Sequence, residues 1–69
     1  MNGMKSRAIR YYLGESMDKF SKRIGVAAST ICAIENDQRE MSDYVRAKML
    51  RIENELPPDF FSFYEKFKL

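Results

Sequence analysis

SKRIGVAASTICAI, residues 21–34, shows helical periodicity on both sides of a single glycine. Two helices that cross steeply through a short turn need a small residue at the crossing and a left-handed backbone in the turn. Ser21 meets the first need and Gly25 the second. Ile31 and Ile34, three residues apart, place a branched apolar stripe on the second helix. The pattern therefore predicts a helix, a tight turn and a second helix.

The other side of this second helix carries only small side chains, and we interpret it as a recognition surface. Its members are Ala28, Ser29, Cys32 and Ala33. The plainer alternative is that one glycine between two amphipathic helices makes an ordinary helical hairpin with no function of its own. For the thiol, too, the alternatives are an inert small side chain and an oxidation-sensitive group.

Periodicity, caps and breakers predict further helices along the chain. Residues 1–4 have no periodicity and are expected to fray. The predicted helices are 5–13, ended by Gly14; 17–24, capped by Ser16; 28–36; one that begins after Ser42 and ends before Pro57; and 59–66, whose aromatic stripe extends to residue 67. Ala27 is a poor cap for the third helix, and Asn36 and Asp37 suit a left-handed end.

Length and composition exclude several classes of protein. Sixty-nine residues make one domain, and hydrophobic residues at 45% are sufficient for a compact core. The apolar runs are too short for a membrane span, and no charged start leads into a hydrophobic segment, so we expect a soluble cytoplasmic protein. One cysteine and no histidine argue against a disulfide, a structural zinc site or a histidine base. We therefore expect no enzyme, cofactor or metal.

Charge is distributed unevenly along the chain. Residues 1–23 hold six Lys or Arg and two acids, while residues 24–69 hold six and eight. A basic first third suits a phosphate backbone, although charges of this number also occur on solvated helix faces. The charged face of the fourth helix is interpreted in that second way, as solvated surface; its members are Arg46, Lys48, Arg51, Glu53 and Glu55.

From about residue 10 to residue 61, the chain resembles the Cro and lambda-repressor-like (XRE-type) helix-turn-helix DNA-binding proteins of phages and bacteria. The resemblance is densest in FSKRIGVAASTICAIEND, residues 20–37. It implies an all-α, compact five-helix domain with a central helix-turn-helix at about 17–36. It also implies a partly buried ion pair between Arg10 and Glu35 that fixes the recognition helix.

The resemblance assigns DNA contacts to named positions. Base edges would be met by Ala28, Ser29, Cys32 and Ala33, and phosphates by Asn36, Gln38 and Arg39. The chain departs from the family at Met17 and Ala28, where family members commonly carry glutamine, and Asp43 adds a repulsive charge. Because alanine offers only methyl contact, sequence readout is expected to be modest.

The last predicted helix carries a run of aromatic residues. Phe60, Phe61, Tyr64 and Phe67 either seal the core or form an interface, and Phe61 or Phe67 left outside would make an exposed aromatic patch. The family dimerises through this region on operators with two-fold symmetry. The resemblance thus implies a homodimer on DNA.

Two functions follow from the sequence. The first is a sequence-specific, double-stranded DNA-binding transcriptional regulator of phage, prophage or bacterial type. The second is a protein-binding regulator, such as an antirepressor or antitoxin, that uses the same fold with the aromatic helix as its contact surface.

Overall fold

The helices that periodicity and capping predict all form, with small shifts at their ends. In a computed structural model, which describes residues 2–69, these residues fold into α1 (Gly3–Leu13), α2 (Met17–Ile24), α3 (Ala28–Glu35), α4 (Asp43–Glu55) and α5 (Phe60–Phe67), without a strand. The described chain measures 28 × 23 × 21 Å. It contains no helix that is both long and apolar enough to cross a membrane. The all-α class with five helices is confirmed.

Hydroxyl caps begin two of the helices as predicted. The Ser16 hydroxyl accepts a hydrogen bond from the Lys19 N–H at 3.1 Å, and the Ser42 hydroxyl accepts one from the Val45 N–H at 3.3 Å. Ala27 gives α3 no side-chain cap. The start of α3 therefore depends on tertiary packing more than the starts of α2 and α4 do.

The start of α1 differs from the prediction. The Asn2 side chain accepts a hydrogen bond from the Lys5 N–H at 2.8 Å and caps the helix, so the expected fraying is wrong for residues 2–4; Met1 lies outside the described residues. Gly3 is buried, and a Cβ there would lie 2.3 Å from the Ile34 carbonyl oxygen. Only a residue without a side chain allows α1 to begin this close to the end of α3.

Three helix ends also shift by one residue, and one of them is the end of α5, which lies at Phe67 rather than Lys66. α3 ends at Glu35 rather than Asn36, and the left-handed residue that follows is Asp37, with φ of 56°. α5 begins at Phe60 rather than Asp59. The Asp59 carboxylate makes no cap and instead accepts a hydrogen bond from the Tyr12 hydroxyl at 2.7 Å, which raises the pKa of Tyr12.

The core is formed by buried side chains from all five helices. α2 packs on α3 and α4, while α1 packs on α3 and α5. Ile31 and Ile34 are buried, as their spacing predicts, against the fully buried Phe20. Ser21 is also buried and donates a hydrogen bond to the Asp18 carbonyl at 2.7 Å, so its small side chain occupies the predicted helix crossing.

The aromatic helix α5 mainly seals the core. Phe60 is buried, and its ring meets the Tyr12 ring edge to face at 5.3 Å. Phe67 packs edge-on against Tyr11 at 5.4 Å, so it does not form an exposed patch. Phe61 alone of the predicted interface residues is largely exposed, at 68%. Because Phe60 is buried, it is not available to a partner.

Gly25 ends α2 with φ of 92°, as the predicted turn requires. We expect Gly25→Ala to lower the free energy of unfolding by about 1 kcal/mol or more, because an L residue is strained at this φ. A Cβ there would also lie 2.8 Å from the Tyr44 hydroxyl oxygen. Urea denaturation measures the change, and a variant as stable as wild type would contradict the prediction.

Gly14 provides the matched control for Gly25→Ala. Its φ is 68°, yet a Cβ there would have no atom within 4 Å. Gly14→Ala therefore reports backbone strain alone. Gly25→Ala in a Tyr44→Ala background removes the contact and keeps the strain, so the two comparisons separate the two costs.

Candidate nucleic-acid interface

The outer face of α3 is smooth and open. Ser29 is exposed, and Ala33, one turn later, is half-buried. At 3.6 residues per turn these two residues lie opposite the buried stripe of Ile31 and Ile34, so they occupy the middle of the outer face. Ala28 and Cys32, also half-buried, flank them. All four predicted base-contacting residues thus share one surface, and each is small.

The end of α3 is held by a buried ion pair with α1. Arg10 donates from Nε to one Glu35 carboxylate oxygen at 2.9 Å and from Nη2 to the other at 3.0 Å. The Glu35 side chain is only 2% exposed and that of Arg10 11%. The bonds to Glu35 raise the pKa of Arg10, although burial opposes the shift. The geometry has the two-pronged form in which arginine binds carboxylates most specifically.

Arg7 makes a second attachment at the same helix end. Its Nη2 lies 3.2 Å from both the Glu35 carbonyl oxygen and the Asn36 side-chain oxygen. The Asn36 amide group in turn donates to the Cys32 sulfur at 3.4 Å. Both ends of the Asn36 side chain are thus engaged within the protein. Asn36 is exposed and its amide group has a second N–H, so a phosphate contact from Asn36 does not require it to give up these bonds.

The loop after α3 carries the other predicted phosphate contacts. Gln38 and Arg39 are exposed and line a cleft of about 400 Å³ together with Asn2 and Arg46. Arg39 has no ion-pair partner within residues 2–69. Two acids of the loop, Asp37 and Glu40, also line this cleft. Its positive charge is therefore confined to the neighbourhood of the two arginines.

A second buried acid was not anticipated from the sequence. Glu15, in the link between α1 and α2, is 8% exposed and forms an ion pair with Arg23 of α2. Hydrogen bonds from Arg23 hold the pKa of Glu15 below its ordinary value, although burial opposes the shift. The Glu15 carbonyl also accepts from Arg10 Nη1 at 3.2 Å. The residues that support α3 thus form one network across α1, α2 and α3.

A different surface lies between α4 and α5. Phe61 and Leu50, both exposed, line a shallow groove with Lys5 and Glu53, which form an ion pair with each other. Tyr64 lies near its edge, with the Lys5 amine 5.5 Å from the ring centre. Of the sequence's candidate interface residues, this groove contains Phe61.

The residues described contain no group of three or more His, Cys, Asp or Glu that would hold a metal ion. No protein-family model, curated protein or solved structure matches the chain.

Proposed function

We propose that the chain is a lambda-repressor-like helix-turn-helix protein that binds double-stranded DNA as a transcriptional regulator, with α3 in the major groove. The observation that carries this proposal is the outer face of α3. A helix can lie deep in the groove when its outer side chains are small, and Ser29 and Ala33, on this outer face, would then approach base edges. No chemical reaction is part of the proposal.

The rigid support of α3 favours the same function. Arg10 and Arg7 fix its last turn, and Gly3 allows α1 to lie directly against it. A recognition helix must keep its register on the DNA, so a support of this kind suits its task. Arg39, exposed and without an ion partner within residues 2–69, would then contact a phosphate.

A direct test is binding to a labelled duplex of random sequence across a salt series, followed by selection of bound sites. Phosphate contacts release counterions, so the logarithm of the binding constant should fall linearly with the logarithm of salt concentration. Selection should enrich sites with two-fold symmetry if the protein binds as a homodimer. Binding that does not depend on salt would contradict the proposal.

Arg39→Ala should weaken binding to all duplex sequences alike and reduce the salt slope by about one unit, because it removes one phosphate contact. Fluorescence anisotropy with a labelled duplex measures both quantities. Lys66→Ala is the matched control, since Lys66 is exposed on α5 and also has no ion partner within residues 2–69. An unchanged slope in Arg39→Ala would remove this residue from the interface.

The second candidate function is a protein-binding regulator, favoured by the groove of Phe61 and Leu50. Phe61 and Leu50 line this groove together with charged residues, and an exposed apolar patch rimmed by polar residues marks many contact sites. Binding to a protein partner that has little salt dependence and is lost in Phe61→Ser would support this second function over DNA recognition.

A further inference from the structure

The outward side of α4 carries an aromatic residue and two basic residues in one stripe. Tyr44, Ala47, Lys48 and Arg51 follow one another at helical spacing and line a hollow of about 130 Å³. The Tyr44 ring is half-exposed, and the Lys48 amine lies 5.6 Å from its centre. The alanine leaves space between the larger side chains. We call these four residues the α4 stripe.

The two basic side chains of the α4 stripe are free to bind an anion. Neither Lys48 nor Arg51 forms an ion pair within residues 2–69, whereas Arg46, on another side of α4, is paired with Asp43. Arg51 is exposed, and the partly buried Lys48 holds its amine beside the exposed Tyr44 ring. Such a combination binds a carboxylate and the apolar atoms beside it together.

Acidic residues lie beyond both ends of the α4 stripe. Asp43 precedes it, with a fully exposed side chain, and Glu55 follows it one turn after Arg51. The helix rises about 18 Å between these two acids. Glu55 has no ion partner within residues 2–69 and would repel a long polyanion such as duplex DNA that continued along α4, whereas the Asp43 carboxylate is paired with Arg46. A short anionic segment would contact only the basic side chains of Lys48 and Arg51.

We infer that the α4 stripe docks a short acidic helix of a protein partner. Lys48 and Arg51, three residues apart, match two carboxylates one helical turn apart on that partner. An aliphatic side chain between them would enter the hollow against Tyr44 and Ala47. The stripe lies beside the turn between α2 and α3, because the Tyr44 hydroxyl approaches Gly25. This inference does not depend on whether α3 binds DNA.

The test is a titration of the isotope-labelled full chain, followed by amide chemical shifts. The probe is a short, alanine-based helical peptide with one leucine and two glutamates four residues apart, at low salt. We expect the largest shifts at residues 44–51 and weakening as salt rises. The same peptide with glutamine in place of glutamate should cause none. Shifts elsewhere, or equal shifts with the glutamine peptide, would overturn the inference.

Charge reversal identifies the residues responsible. Lys48→Glu with Arg51→Glu should weaken peptide binding by about tenfold or more at low salt. Arg51→Glu alone, at an exposed site, keeps the test valid if the double variant does not fold, and it should weaken binding severalfold. Lys66→Glu is the control and should bind as wild type. Peptide binding that survives Arg51→Glu unchanged contradicts the inference.

Two further results would also overturn it, each by naming another occupant. A duplex that shifts residues 44–51 more strongly than the peptide at equal concentration would assign the stripe to nucleic acid. Concentration-dependent shifts of the same residues without any probe would assign it to a second copy of the chain.

Discussion

Arg10→Met is expected to lower the free energy of unfolding by about 3 to 5 kcal/mol, the cost of removing one partner of a buried ion pair. The Glu35 carboxylate is 2% exposed and would keep only Arg7, whose Nε lies 3.7 Å away. A domain of this size has a thin margin of stability, so a loss of that size would leave much of the protein unfolded. Urea denaturation, with a stabilising osmolyte if needed, measures it.

A double-mutant cycle isolates the interaction between the two side chains. Arg10→Met, Glu35→Gln and the double variant give a coupling energy that does not include the effect of each substitution alone. Asp43 and Arg46 supply the matched control, because this pair is exposed and should show a coupling below about 1 kcal/mol. A coupling energy between Arg10 and Glu35 as small as that between Asp43 and Arg46 would contradict the prediction. It would mean that the charges of Arg10 and Glu35 are solvated separately.

The sequence predicts local structure well because the signals for it are local. Ser16 and Ser42 mark helix starts through a bond to an N–H three residues away, and Gly25 marks a turn through its own φ. The buried stripe of Ile31 and Ile34 follows from helical spacing alone. Such features need no knowledge of which helix lies opposite.

Contacts between distant segments are where sequence reasoning was incomplete. Gly3 stands in a stretch without periodicity, and its role depends on the Ile34 carbonyl that faces it. Glu15 and Arg23 share no helical face, so nothing in their spacing pairs them. Periodicity also placed Phe67 on an aromatic stripe but did not reveal that the Tyr11 ring covers it.

The candidate site shows the same difference between local features, which the sequence predicts, and contacts between distant segments, which it does not. The outer face of α3 follows from the helical pattern, and the four small residues predicted there share one surface. The engagement of Asn36 by Arg7 and Cys32 was missed, because it depends on where α1 crosses the end of α3. The Arg10 and Glu35 pair was anticipated only through the family resemblance, which carries such long-range information.

Ser29→Glu is expected to abolish duplex binding while the protein stays folded. The carboxylate would stand in the middle of the outer face of α3, where the proposed complex brings base edges and the phosphate field closest. Ser29 is exposed and lies in the first turn of a helix without a side-chain cap. An acid there complements the helix dipole, so the melting temperature should be unchanged or slightly higher.

Ser62→Glu is the matched control, because it makes the same change of charge in an equivalent setting. Ser62 is exposed and lies in the first turn of α5, which also lacks a side-chain cap. If general repulsion of DNA by one added negative charge were the cause, both variants would lose binding equally. Loss confined to Ser29→Glu would assign the effect to α3, and Ala33→Glu, one turn later, should reproduce it. A folded Ser29→Glu protein that binds duplex as well as wild type would instead favour the protein-binding function, because a carboxylate on the outer face of α3 would lie close to the phosphates if α3 occupied the major groove.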